Sequence, residues 1–221
     1  MITPRLNSII QNIGGKTLAD IGTDHAYIPI YLLQNGLIDY AIACDIKKGP
    51  LDIARSNVEK YNIENIELRL GPGLNPIAEN ETETVVIAGM GGDMIMHILS
   101  ENPKKSHSFK EIILQPMNCQ KELRMWLVNN GFEIVGEDLS KEGFKVYNLI
   151  KVKSGENKRE FASELSWHLP EYLFSHPLFP MLYDKKKREF TKILNGLKKA
   201  ENKDFAEIKR LENLLEEMKK I

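Results

Sequence analysis

Hydrophobic and polar positions change rhythm along the 221 residues. From about residue 17 to residue 153, short runs of β-branched and apolar residues alternate with amphipathic stretches, which predicts strands and helices in turn. The predicted strands are 17–22, 40–46, 66–70, 84–88, 111–115, 132–138 and 145–153. Helices are predicted between them at 27–34, closed by Gly36, at 51–60, at 94–99, and at 120–130, closed by Gly131. Glycine at such a boundary supplies the left-handed cap. Central strands alternating with helices argue for an α/β fold with a doubly wound, mostly parallel sheet. The last two strands have no helix between them, so they suit an antiparallel hairpin at one edge of the sheet. Its turn is expected at 140–143, with Phe144 just beyond.

After a polar, glycine-containing linker at 154–159 the pattern shifts. Residues 167–181, WHLPEYLFSHPLFPM, hold three prolines among large apolar groups and predict a docked, irregular connector. Apolar residues then fall at Phe190, Ile193 and Leu197, and again at Ile208, Leu211, Leu215 and Met218. Spacings of three and four are those of a helical seam. Between the two sets ENKD breaks the register, and Asp204 followed by Glu207 has capping-box spacing. The expectation is two antiparallel helices, about 183–200 and 205–220, in a hairpin of coiled-coil type; one continuous kinked helix is the alternative. The domains expected are thus 1–153 and 154–221.

Charge adds to this division. Residues 1–150 hold 14 Lys and Arg against 19 Asp and Glu, whereas 151–221 hold 16 against 12. A basic tail on an acidic body suits a polyanionic partner, because Lys and Arg contacts to phosphate supply most non-specific affinity for nucleic acid. A solvated helical face reads equally well from charge alone. The run Lys185, Lys186, Lys187, Arg188 is the candidate backbone contact. No apolar stretch approaches the roughly 20 residues that span a bilayer, so a soluble, cytoplasmic protein is expected. Cys44 and Cys119 sit in no C-x-x-C or Cys/His cluster, which gives no metal site and suggests two buried thiols.

Candidate chemistry gathers at the strand exits, where open α/β sheets bind ligands. The first exit reads DIGTDHAYIP, the second CDI, the third LGPGL, the fourth AGMGG and the fifth LQPMN. Asp45 closes the second strand, where a carboxylate can accept ribose hydroxyls. A dinucleotide would also need closely spaced glycines for its pyrophosphate. The first loop offers only Gly22, and Asp24 would repel phosphates. A cationic sulfonium with an amino-acid end welcomes Asp20 and Asp24, so S-adenosylmethionine is favoured over a nicotinamide dinucleotide. Asp24-His25 could also cap the following helix, and Asp93 is expected as an N-cap. Gln115 and Asn118 offer amides that could read a base edge, or simply begin a turn and a helix. Of five histidines, only His25 lies in a motif; His97, His107, His168 and His176 are expected at the surface or in packing.

Taken together, LADIGTDHAYIPI, GPLDIARSNV, RLGPGL, VIAGMGG and IILQPMN followed by LRMWL resemble the bacterial tRNA (adenine-N1)-methyltransferases that modify adenine 22, in the D-loop region. The resemblance covers nearly the whole chain and is strongest from Leu18 to Leu127. It implies a Rossmann-like class I methyltransferase domain, S-adenosyl-L-methionine as donor, tRNA as substrate, and a C-terminal α-helical hairpin that helps engage the tRNA. It places Asp20, Gly22, Asp24, His25 and Tyr27 along the methionine end of the cofactor; on chemical grounds Asp24 or His25 is the candidate acceptor of the proton later lost from the product's amino group. Asp45 would hold the ribose, Ile46 the adenine face, and Gly71 and Gly73 the third exit. Gly89, Met90, Gly91 and Gly92 would lie between cofactor and incoming base. Pro72 stands where the family usually has Asp, and Leu169-Pro170 where it has Gly-Pro. A monomer without metal or membrane attachment is expected. Another RNA or small-molecule acceptor, an oxidoreductase, or a non-catalytic RNA-binding module are the competing readings.

Overall fold

The computed structural model describes residues 2–221, and its first element, α1 (Pro4–Asn12), was absent from the pattern reading, which began at residue 17. The signals are local. The Thr3 hydroxyl accepts from the Leu6 amide at 3.4 Å, and Pro4 fills the first turn, where its missing N–H costs nothing. Ile9 and Ile10 are buried in a cluster with Leu18, Ile28, Val86 and Ile113, and Leu6 and Ile13 pack against it. Burial of this face fixes α1 against the sheet.

The chain continues through β1 (Thr17–Ile21), α2 (Tyr27–Gln34), β2 (Tyr40–Asp45), α3 (Lys48–Lys60), β3 (Ile66–Leu70), β4 (Thr84–Met90), α4 (Gly92–Glu101), α5 (Pro103–Ser106), β5 (Glu111–Pro116), α6 (Gln120–Asn129), β6 (Phe132–Glu142) and β7 (Lys145–Ser154). The seven strands pair in the order β3-β2-β1-β4-β5-β7-β6. β1 to β5 are mutually parallel, while β7 runs antiparallel to both β5 and β6. Strand order reverses between β1 and β4, which leaves a crevice at their carboxyl ends. Residues 41–44, 85–87 and 112–114 are almost wholly buried, as expected of strands covered on both faces. The hairpin lies at the sheet edge, but β6 runs to Glu142 and the turn is Gly143-Phe144, not 140–143.

A buried ion pair ties α6 to this hairpin. Arg124 Nη2 donates to Glu137 at 2.7 Å and to Asn148 at 3.2 Å, with both charged side chains at 0% exposure. Such a pair is costly to break, since a lone partner is left uncompensated.

The chain divides into two units, Met1–Arg159 and Glu160–Ile221. The segment 154–159 belongs with the first unit, contrary to its reading as a linker. Arg159 donates to the Ile134 and Val135 carbonyls, and the Gly155 amide to Gly131. In the second unit, α7 (Glu164–His168) is capped reciprocally by Ser163 and Ser166, and a 3-10 turn spans Glu171–Leu173. These two pieces order the proline-rich connector. α8 (Phe179–Lys199) and α9 (Phe205–Met218) form the helical hairpin, and the Asp204 carboxylate accepts from the Glu207 amide at 3.0 Å. The inward row of α8 is Leu182, Lys186, Phe190 and Leu194, against Ile208, Leu211, Leu214 and Met218. Ile193, expected in the seam, is 45% exposed, because the i, i+4 row set by Phe190 selects Leu194.

Candidate active site

A cleft of about 620 Å³ opens at the carboxyl ends of β1, β2 and β4. The β1 exit supplies Asp20, Gly22, Thr23, Asp24, His25 and Tyr27; the β2 exit supplies Asp45 and Lys47; the β4 exit supplies Ala88, Gly89 and Met90. From α1 come Arg5 and Leu6, preceded by Thr3. Those three residues were not expected, although Thr3-Pro4 followed by Leu6, Ile9, Ile10 and Ile13 carries the signature of a capped helix.

The first loop is bent rather than merely short. Gly22 sits at φ +73, and its amide and that of Thr23 both donate to the Cys44 carbonyl. A Cβ at Gly22 would stand 2.3 Å from the Met90 methyl. The Met90 side chain thus closes over Gly22 across the cleft, and a substituent there would have to displace its tip. Asp24 and Ala26 also adopt left-handed φ values of 46 and 56. Ala26, not Asp24 or His25, occupies the N-cap of α2, and no side chain caps it. Asp24, 72% exposed, is instead turned toward His25, with its carboxylate 3.3 Å from Nε2. The His25 ring stacks on Tyr27 at 5.1 Å, and its Nδ1 is buried without a hydrogen-bond partner among the described residues.

Asp20 is 6% exposed and accepts from the Thr23 hydroxyl at 2.6 Å. Burial pushes its carboxyl up to about 6 against the lowering effect of that hydrogen bond, and the nearby Asp45 charge adds to the rise. Asp45 accepts from the Lys47 amide through Oδ1 at 2.8 Å, and its carbonyl accepts from Gly71. Its second carboxylate oxygen remains available for hydroxyl donors.

The glycines of the fourth exit divide by role. Gly89, at φ +76, is the slip in register where Ala88 pairs with Gln115 but Met90 pairs with Pro116. Gly91, not Asp93, is the N-cap of α4. Gly92 is buried, and a Cβ there would lie 2.8 Å from the Cys119 carbonyl. Its amide donates to Asn118 Oδ1 at 3.1 Å, so these two residues are locked to one another rather than lining the cleft. Gln115 is fully buried; its oxygen accepts from Arg5 at 2.8 Å, while its Nε2 has no hydrogen-bond partner among the described residues. Arg5 also approaches Glu142 at 3.5 Å and the Tyr147 ring at 5.7 Å. Ile46 follows Asp45 outside the lining and is 65% exposed. Gly71 and Gly73 lie outside it too: a Cβ on Gly71 would meet Pro76, and the Pro72 carbonyl closes the turn by accepting from Asn75.

In the second unit, Lys187 and Arg188 are exposed and begin a basic groove of about 610 Å³ that continues through Lys192 and Lys199. Lys186 does not share it: it lies on the inward row, 7% exposed, paired with Glu189 at 3.0 Å. Lys185 is half-buried. Burial pushes the Cys44 thiol up to about 12, which removes it as a nucleophile. His107 stacks on Phe132, His168 edges onto Phe190, and His176 accepts from the Leu178 amide. Among the described residues, no helix is long and apolar enough to cross a membrane, and no group of three His, Cys, Asp or Glu could hold a metal ion.

Seven strands in this order, with one reversed strand and a carboxylate-lined crevice at the switch point, define a class I methyltransferase fold. A family model described as "Methyltransferase domain" matches residues 2–150. The tRNA (adenine(22)-N(1))-methyltransferase of Bacillus subtilis (strain 168) is 35% identical over 157 residues, covering 70% of this chain and 66% of that protein. The solved B. subtilis m1A22 tRNA methyltransferase TrmK superposes with a TM-score of 0.87 at 27% identity, covering 100% of this chain and 98% of that one. M. capricolum TrmK, in complex with S-adenosyl-homocysteine, gives a TM-score of 0.83 at 31% identity over 100% and 97% of the two chains. The chain belongs to the tRNA (adenine(22)-N(1))-methyltransferase family.

Proposed function

We infer that the protein binds S-adenosyl-L-methionine in the cleft and transfers its methyl group to N1 of adenine 22 of tRNA, the reaction named for the B. subtilis relative. The observation that carries the donor reading is the set Asp20, Asp24 and Asp45 around the single left-handed Gly22. A diphosphate would meet like charge there, whereas a sulfonium and an ammonium meet carboxylates. The left-handed Gly22 also lets the β1 exit pass close under the Met90 side chain. When bound, the donor supplies an electrophilic methyl on a cationic sulfur. Asp45 offers its second oxygen to the ribose hydroxyls, Asp20 and Asp24 face the ammonium, and Arg5 and Lys47 are the cations of the lining that a carboxylate could meet.

The adenine N1 lone pair is neutral and the sulfonium is a good leaving group, so most of the acceleration comes from holding the reacting atoms in line. No base is needed for attack, and the scheme calls for no metal. The methylated product is a cation that sheds a proton from its amino group; Asp24, with His25 beside it, is placed to accept that proton. The target base leaves its stack to react, at a cost of a few kcal/mol that is smallest in a loop. Lys187 and Arg188 of the second unit supply phosphate contacts, and Lys186 is left out of that set. A cytoplasmic monomer fits this role. The test is nucleoside mass spectrometry of tRNA incubated with protein and donor. 1-Methyladenosine mapped to position 22 is the expected product; donor binding with methylation of small molecules only would overturn the tRNA assignment.

A further inference from the structure

The tip of the β6–β7 hairpin is used neither by the core nor by the cleft. Glu142 pairs with Lys145, leaving Gly143 and Phe144 as a two-residue turn, with Gly143 at φ +57. A glycine first in such a turn matches the twist of the flanking strands. It also throws the next side chain outward: Phe144 has a relative exposure of 102%, so its ring touches nothing. On either side Lys141 and Lys145 are exposed and enter no ion pair among the described residues. The one acid of the tip, Glu142, is turned inward to Arg5 at 3.5 Å and to the Thr3 hydroxyl at 3.4 Å. The outward face of the turn is therefore an aromatic ring between two free cations.

Its position follows from strand direction. β7 is antiparallel to β5, so β6 ends and β7 begins at the sheet end where β4 and β5 finish. Thr3 and Arg5, which hold Glu142, themselves line the cleft. The hairpin tip therefore stands at the cleft's end of the sheet, beside residues that line it. Two free lysines disfavour a second copy of the same tip by like-charge repulsion. They suit a strand with phosphates at intervals and flat bases between them, where stacking is tolerant of base identity. A base drawn out of its stack leaves its neighbour's face uncovered, and an aromatic ring can cover it.

Resting on the tRNA-methyltransferase reading, we propose that the β6–β7 tip is an RNA contact, with Phe144 stacking on a base beside the target nucleotide and Lys141 and Lys145 meeting the adjoining phosphates. The test uses the full chain as wild type, Phe144→Ala, Phe144→Trp and the double variant Lys141→Glu/Lys145→Glu. It compares tRNA binding by fluorescence anisotropy, methyl transfer by steady-state kinetics, donor binding by calorimetry and thermal midpoint. Phe144→Ala keeps its thermal midpoint and donor affinity, because the ring packs on nothing. It loses roughly tenfold in tRNA affinity and kcat/KM, the scale of one base–aromatic stack, and Phe144→Trp restores both. The double lysine variant shows a shallower dependence of tRNA affinity on salt. Wild-type tRNA binding and kcat/KM in Phe144→Ala would overturn the contact while leaving the reaction standing. So would loss of self-association in that variant with tRNA kinetics unchanged. Tight tRNA binding without methylation by the wild type would instead overturn the reaction, with the Phe144→Ala binding ratio still deciding the contact.

Discussion

Asp20 is a carboxyl group that burial keeps neutral to a higher pH than usual and that a cationic ligand would ionise. With its pKa raised from 3.8 to about 6, ionisation between those values removes up to about 3 kcal/mol of stability from the ligand-free fold as pH rises. A bound cation reverses the preference, so donor affinity should rise with pH up to and through about 6, with proton release on binding below it. Calorimetry in buffers of different ionisation enthalpy measures both. Asp20→Asn should bind more weakly with a flat profile over that range; a flat profile in the wild type would place Asp20 away from the cation. Residues of this kind were legible because charge at a strand exit has few other uses. Asp20, Gly22, Asp24, His25, Tyr27, Asp45, Gly89 and Met90 all line one cleft. Gly71, Gly73, Gly92 and Asn118 lie outside that lining, and a glycine or amide serving a tight turn or close packing has the same letters as one serving a ligand. Gly92 sits against the Asn118 and Cys119 carbonyls, and nothing in its neighbours' identities announces that.

Elements were legible where their period is regular, and less so at their ends. The span of α2 matches its pattern reading, because apolar density and Gly36 bound it on both sides. α3 begins earlier than predicted, at Lys48, since Pro50 is acceptable in a first turn and does not mark a boundary. Of the elements the pattern does not predict, α1 matters most, for it brings Arg5 to the cleft and to Gln115. Packing of α4 on the loop that follows β5 gives a prediction at this scale. Gly92→Ala would force its methyl against backbone carbonyls at 2.8 and 2.9 Å, which cannot swing aside as a side chain would. Overpacking of this sort costs about 1–3 kcal/mol. Denaturant melts should show that loss, and an unchanged midpoint would mean that α4 moves freely on the loop.

At the scale of the molecule, the charge asymmetry suited a polyanionic partner or a solvated face alike, and it could not say which basic side chains share a surface. Helical phase decides that, and a run of four basic residues necessarily points in several directions around a helix. Lys186 turns inward, while Lys187, Arg188, Lys192 and Lys199 share a groove. Charge reversal at Lys187 and Arg188 should weaken tRNA binding about tenfold or more near physiological salt and reduce its salt slope by about two phosphate contacts. Donor affinity should be untouched; unaltered tRNA binding would return these residues to a solvent-facing role. The sheet carries a different kind of consequence. β7 is the last strand in the chain, yet it sits between β5 and β6. While the protein is being synthesised, the rim of β5, apolar at Ile112, Ile113 and Leu114, stays unzipped until Ser154 has left the ribosome. Premature termination before Lys145 would leave that rim open to neighbouring nascent chains, a route to clumping that the finished sheet closes.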